Sequence, residues 1–372
     1  MLKNKLFSSM ITFTFACTFF IWGVIPVKLV RAASIITPDS FILTDGEYYL
    51  THDVTLNNSL FIKDGDVKID LNGYTLRLKD GVVDSVICVR GGSLFLNGRG
   101  GKISGGKGNI AIHGGNCRRG GGLSISEGRV VIDNCGISGN TAEFGGGVFI
   151  ESGSFEMQNN SYICNNTSKK VYFDGNGGGA VFIDGGTFTM NGGKISNNSA
   201  STGWAGVRVG EKCDGFFVSG NAIIYDNFDH LGGQQQNLRL GGSGYGSNML
   251  NISGPLSNDA KLGITMDEPG VFTNSYNTYY NRKYNFVNDA TTDRIIENFD
   301  GQLMLTDKDR FEEELENAFD SGVRKGKIDA VVALVRRYHF KLNVAMLDIG
   351  LDDRYKDQVV SALSEQGISF EE

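Results

Sequence analysis

Short apolar runs separated by glycine and asparagine turns repeat along residues 81–240. Three stretches align directly: Gly120-Gly121-Gly122-Leu123-Ser124-Ile125, Gly145-Gly146-Gly147-Val148-Phe149-Ile150 and Gly178-Gly179-Ala180-Val181-Phe182-Ile183. Each opens a unit of roughly 25 to 32 residues. In it a second run follows (Val130-Val131-Ile132, Phe155-Glu156-Met157, Phe188-Thr189-Met190), and then a third at Ile137, Ile163 or Ile195. The units close on Asn140, Asn166 and Asn198, and a more divergent unit keeps the order through Val207-Arg208-Val209, Phe216-Phe217-Val218, Ile224 and Asn227. An earlier unit, Ile87-Cys88-Val89, Leu94-Phe95-Leu96 and Ile103, fits without a closing asparagine. Alternation within the runs, as in Val181 and Ile183 around Phe182, predicts strands with one set of side chains inward and the next outward.

A unit of this size cannot bury its apolar face alone, so stability comes from stacking on its neighbours. Three short strands per unit can wind as a parallel coil or open as propeller blades. Blades take four strands in about 40 to 50 residues, and the shorter period favours the coil. The 52 glycines, against 4 prolines, fall between the runs and mark tight turns, not disorder. The expected class is all-β: a right-handed parallel β-helix, or solenoid, with a small C-terminal α-helical module. Stacking would bring the asparagines about 4.8 Å apart, where their amides can bond in a structural ladder.

The stretches GGGVFI…GSFEM and GGAVFIDGGTFTMNGGKISNNSA resemble the repeats of secreted right-handed β-helix proteins of the pectate-lyase-like superfamily from Gram-positive and gut bacteria. The resemblance includes the lead-in, Gly46 to Leu50 and Ile69 to Leu76, and the closing segments Leu250 to Leu256 and Ala260 to Thr265, so that it covers residues 40 to 300. It implies a fold and leaves activity open, because that superfamily holds polysaccharide lyases and hydrolases beside adhesins without catalysis.

The ends of the chain differ from the middle. Lys3 and Lys5 precede an uncharged stretch from Leu6 to Val27, and Val30-Arg31-Ala32 offers small residues at the −3 and −1 positions of a cleavage site. Residues 1–32 therefore read as an export signal or an uncleaved membrane anchor, and the protein as secreted or held at the cell surface. Residues 33–80 are expected to form an N-terminal cap with the first strands, and 241–305 a β-rich C-terminal cap. In the latter Tyr276, Tyr279, Tyr280, Tyr284 and Phe286 cover the last unit or bind a sugar. From Thr306 the pattern becomes helical, with Phe311, Leu315 and Phe319 on one face, Ile328, Val331, Val332 and Val335 on another, and Asp352-Asp353 opening a last helix. This module, 306–372, reads as a docking or self-association unit. Residues 300–372 carry 16 acidic against 10 basic side chains, most of the chain's net charge of −7, which speaks against nucleic acid as a partner. Five cysteines follow the signal (Cys88, Cys117, Cys135, Cys164, Cys213), an odd number without zinc spacing.

Chemistry is sparse. A lyase on this scaffold would hold calcium between outward carboxylates of adjacent units, with a lysine or arginine base. The column that fits is Ser126, Glu151, Asp184, with Arg90 further along; because no third acid lines up, two solvated turn carboxylates are the preferred explanation. A hydrolase needs acids clustered about 5 to 9 Å apart, and Asp174, Asp214, Asp226 and Asp229 are available but sit in turns where aspartate is expected. His52, His113, His230 and His339 show no paired-ligand spacing. No cofactor is implied beyond this calcium candidate, and no catalytic residue is assigned. The expectation is a non-catalytic, adhesin-like scaffold presenting a long face to carbohydrate, a host surface or a partner protein. A polysaccharide lyase or glycoside hydrolase of the same fold is the alternative.

Overall fold

The structure, a computed structural model, describes residues 32–371 apart from 109–118, 170–176, 202–203, 230–232, 241–248, 267, 280–281, 290–293, 300, 310–325, 350 and 352–355. The chain separates into two compact units, Met1–Ala32 and Ala33–Glu372. The export-signal reading of residues 1–32 lies outside the described residues except at Ala32, as do Cys117, His113, Asp174, His230, Tyr280, Asp352, Asp353 and the Phe311, Leu315, Phe319 face. No described helix is long and apolar enough to cross a membrane.

The larger unit is mostly β with a small helical part. Among the described residues, 23 strands join one sheet in which every pairing is parallel. Equivalent positions of successive units pair in register. In the first run, Leu60, Ile87, Leu123, Val148, Val181, Val207 and Leu238 follow one another. In the second the succession is Val67, Leu94, Val130, Phe155, Phe188, Phe216 and Leu250. In the third it is Leu76, Ile103, Ile137, Ile163, Ile195, Ile224, Leu262 and Phe286. All of these are buried in one core. Like residues meet like because the repeat sets the register. The Phe155, Phe188 and Phe216 rings stack at centroid separations of 5.3 and 4.8 Å, with interplanar angles of 17° and 6°.

The parallel pairing extends past residues 81–240 on both sides, from Ser34–Ile35 to Phe286–Asn288. Residues 33–80 thus add further strands of the same kind. Each central unit also holds a short strand that the run pattern does not announce. Thr141–Ala142, Thr167–Ser168, Ser199–Ala200 and Phe228–Asp229 pair in a separate four-stranded sheet. They are only two residues long, below what alternation can reveal.

The turn before each short strand has a fixed form. Gly139, Asn165, Asn197 and Asp226 all take a left-handed backbone, with φ of 72°, 54°, 55° and 59°. Glycine, asparagine and aspartate tolerate that conformation best. The next residue, Asn140, Asn166, Asn198 or Asn227, then turns its side chain inward and is 0–1% exposed.

At the C-terminal end the chain reverses. Arg294–Phe299, Gln302–Asp307 and Gly270–Val271 form an antiparallel three-stranded sheet, and Phe272 N–H donates to Leu303 O at 2.9 Å. Tyr276 and Phe286 are buried beneath it, their ring centroids 6.0 Å apart, whereas Tyr279 and Tyr284 are exposed. The four described members of the aromatic group therefore divide into two buried and two exposed. Three described helices, α1 (Gly326–Tyr338), α2 (Leu342–Asp348) and α3 (Lys356–Glu365), share a second core that includes Val331, Val335, Met346 and Leu363.

Candidate binding face

The buried asparagines form a directional row of hydrogen bonds. Asn140 donates from both its backbone N–H and its Nδ2 to Asn166 Oδ1, each at 3.0 Å. Asn166 does the same to Asn198 Oδ1 (3.0 and 3.0 Å), and Asn198 to Asn227 Oδ1 (3.1 and 2.8 Å). Each Nδ2 also reaches a carbonyl of the preceding unit, as Asn166 does at Ile137 O, 2.9 Å away. At the start of the row Gly106, in the unit without a closing asparagine, gives its N–H to Asn140 Oδ1 at 3.0 Å.

The row continues beyond Asn227, through two residues that the sequence reading did not select. Asn227 donates to Asn237 Oδ1 (2.9 and 2.9 Å), and Asn237 to the carboxylate of Asp289: its Nδ2 to Oδ1 at 2.9 Å, its backbone N–H to Oδ2 at 3.0 Å. Every amide in the row passes a donor onward, so the last member needs only to accept. A carboxylate meets that demand. Burial raises the Asp289 pKa to about 6, against the opposing pull of the Asn237 donors and the Lys261 charge. Gly263 makes the approach possible, because a β-carbon there would overlap the Asp289 carboxylate and the Asn237 amide.

The two column carboxylates lie on the outer face of the first run. Ile150 pairs with Ile183, which puts Glu151 and Asp184 at equivalent points of neighbouring units. Asp184 faces a cation of the protein itself: Arg119 Nη1 lies 3.8 Å from its Oδ2. Arg90 pairs opposite Glu127 and not Ser126, because the register shifts between Ile125 and Glu127. The aspartates proposed for a hydrolase serve separate local roles. Asp214 is the extra residue of a bulge between Cys213 and Gly215, Asp226 holds the left-handed turn, and Asp229 Oδ1 accepts from Gln234 N–H at 3.4 Å. Among the described residues no three His, Cys, Asp or Glu side chains come together to hold a metal. Among the described residues Cys88, Cys135, Cys164 and Cys213 form no disulfide, and burial pushes Cys213 up to about 11 and Cys135 higher still.

What this face does assemble is a row of arginines on aromatic rings. Arg119 lies 5.6 Å from the Phe144 centroid and 5.2 Å from that of Phe149; Arg208 stacks on Phe182 at 5.7 Å and Arg239 on Trp204 at 4.6 Å. Phe149, Phe182, Arg208 and Arg239 occupy one outward column in successive units. The rings fix each guanidinium by cation–π contact while the arginines stay partly open to solvent. The sequence shows Phe149, Phe182 and Arg208 in equivalent places, but the stacking partners Arg119, Phe144 and Trp204 come from turns where no periodicity operates.

Comparison with family models, with curated proteins and with solved structures returns no significant match.

Proposed function

We propose that the chain is a right-handed parallel β-helix of the pectate-lyase-like kind, secreted or held at the cell surface, that works without catalysis by presenting its first-run face to carbohydrate or to a partner protein. The fold reading is supported by the in-register pairing of successive units and by the continuous asparagine row. The observation that carries the functional reading is the row of ring-stacked arginines, Arg119, Arg208 and Arg239. Held planar and spread over several units, these groups suit recognition of an extended ligand by many modest contacts. A lyase or hydrolase would instead need acids converging in one groove, and Asp184 is engaged by Arg119.

The test is incubation of the purified chain with pectins, glycosaminoglycans, plant and host glycans and extracellular host proteins, with and without calcium. Unsaturated products and new reducing ends are followed alongside retention. Retention without turnover, weakened by Arg208→Gln with Arg239→Gln, is the expected result. Release of products from any glycan would overturn the non-catalytic reading.

A further inference from the structure

The third run of each unit has an outer face that the arginine row does not use. Its first outward position forms one column in successive units: Lys102, Gly136, Tyr162, Lys194, Ile223 and Lys261. Lys102 and Lys194 make no ion pair among the described residues, and Lys261 lies over the Tyr225 ring, 3.3 Å from its centroid. Three cations thus stand in one line on a chain of net charge −7. The next outward position holds Ser138, Cys164 and Ser196, so no carboxylate from that position neutralises the line.

A groove of about 380 Å³ runs beside the same column, lined by Asn160, Tyr162, Asn191, Lys194, Asn221 and Ile223. Its walls supply amides that both donate and accept. The Tyr162 ring occupies the space above Gly136, where any β-carbon would overlap it. With glycine at 136 the ring lies back over the preceding unit and stands between Lys102 and Lys194 in the column, a partly exposed ring. Amides for hydroxyls, a ring for a sugar face and ammonium groups for acidic substituents are three different chemistries, and an anionic polysaccharide uses all of them.

We infer that this third-run face is a binding track for an anionic polysaccharide lying parallel to the stacking axis, with Tyr162 as its sugar platform and Lys102, Lys194 and Lys261 as its charge contacts. Units rise by about 4.8 Å, so Lys102 and Lys194 are about 14 Å apart along the axis and Lys194 and Lys261 about 10 Å. Acidic groups at those intervals along the ligand meet the three ammonium groups, whether or not others lie between them. Carboxylates and sulfates both satisfy the ammonium groups. The inference goes beyond the arginine face and stands or falls apart from it.

The test compares the full chain with Lys102→Gln/Lys194→Gln, with Tyr162→Ala and, as a control, with Lys68→Gln, which removes an exposed cation of the second run. Retention is measured on immobilised heparin, polygalacturonate and neutral dextran across a salt series, with thermal melting as the check on folding. The double lysine variant should bind the preferred anionic polymer about tenfold more weakly and with a shallower salt dependence. Tyr162→Ala should weaken it at every salt concentration, the Lys68→Gln control should bind within twofold of the parent, and dextran should not be retained. Heparin preferred over polygalacturonate identifies sulfate, and the reverse identifies carboxylate. Equal binding by the parent and the double lysine variant would overturn the assignment.

Discussion

Replacing Asn166 tests whether the asparagine row holds the units together. Its side chain is 1% exposed and takes part in four hydrogen bonds: Oδ1 accepts from Asn140 N–H and Nδ2, and Nδ2 donates to Ile137 O and Asn198 Oδ1. In Asn166→Ala the Asn140 N–H loses the acceptor it has in the row. At about 1 kcal/mol for each bond lost, with a further penalty for a buried donor left unmade, the cost is about 4 to 5 kcal/mol. Asn166→Asp is the sharper variant. Aspartate can accept from Asn140, but its oxygen then faces Asn198 Oδ1, acceptor against acceptor, with a charge in the core. It should be at least as damaging as alanine at neutral pH. Urea unfolding followed by far-ultraviolet circular dichroism measures both, with exposed Asn160→Ala as the control expected to stay within about 0.5 kcal/mol. A loss below about 1 kcal/mol for Asn166→Ala, or an aspartate variant more stable than the alanine one, would refute the directional row.

Asp289 carries the opposite expectation. Its pKa in the folded chain is raised from 3.8 to about 6, so the protonated form is the one folding favours: the associated stability is complete below pH 4 and lost as pH rises through 6, a change of about 3 kcal/mol. Asp289→Asn should abolish that component of the pH dependence between pH 4 and 7, and parallel urea titrations of the two proteins with unchanged difference across the range would count against it. Phe188→Ala removes a fully buried ring stacked between Phe155 and Phe216 and should cost about 3 to 5 kcal/mol in the same assay; a loss below about 1 kcal/mol would show that the stack does not hold neighbouring units together.

The residues that repeat with the unit were legible in the sequence, and those fixed by geometry between units were not. Asn140, Asn166, Asn198 and Asn227 stand out because each closes a unit after a residue suited to a left-handed turn. Asn237 follows Asn227 by only 10 residues, within a shortened unit, and Asp289 lies 52 residues further on and is a carboxylate where the others are amides. Spacing cannot find either one; only the need for a terminal acceptor explains the change of residue type. The lysine column did leave a trace. Lys102-Ile103, Tyr162-Ile163, Lys194-Ile195 and Lys261-Leu262 each put an outward residue directly before the inward apolar one. That trace is visible only once the third run is aligned for its outward position, because lysines on separate units share no local motif.

The row's direction also accounts for where the parallel stacking stops. Each unit adds a donor that the next unit must accept, so a row of amides alone would leave an unmatched buried donor at its last member. Asp289 accepts two N–H groups and passes none onward. It directly follows Phe286–Asn288, the last strand paired in parallel, and the chain then turns back as the antiparallel strands Arg294–Phe299 and Gln302–Asp307. The change from amide to carboxylate and the change from parallel to antiparallel pairing thus occur together, because both answer the absence of a further unit. Interior positions from Gly106 to Asp289 are coupled by this row, and three of those units also by the phenylalanine column. Outward positions are coupled only to their neighbours, which leaves the arginine and lysine faces free to vary without disturbing the core.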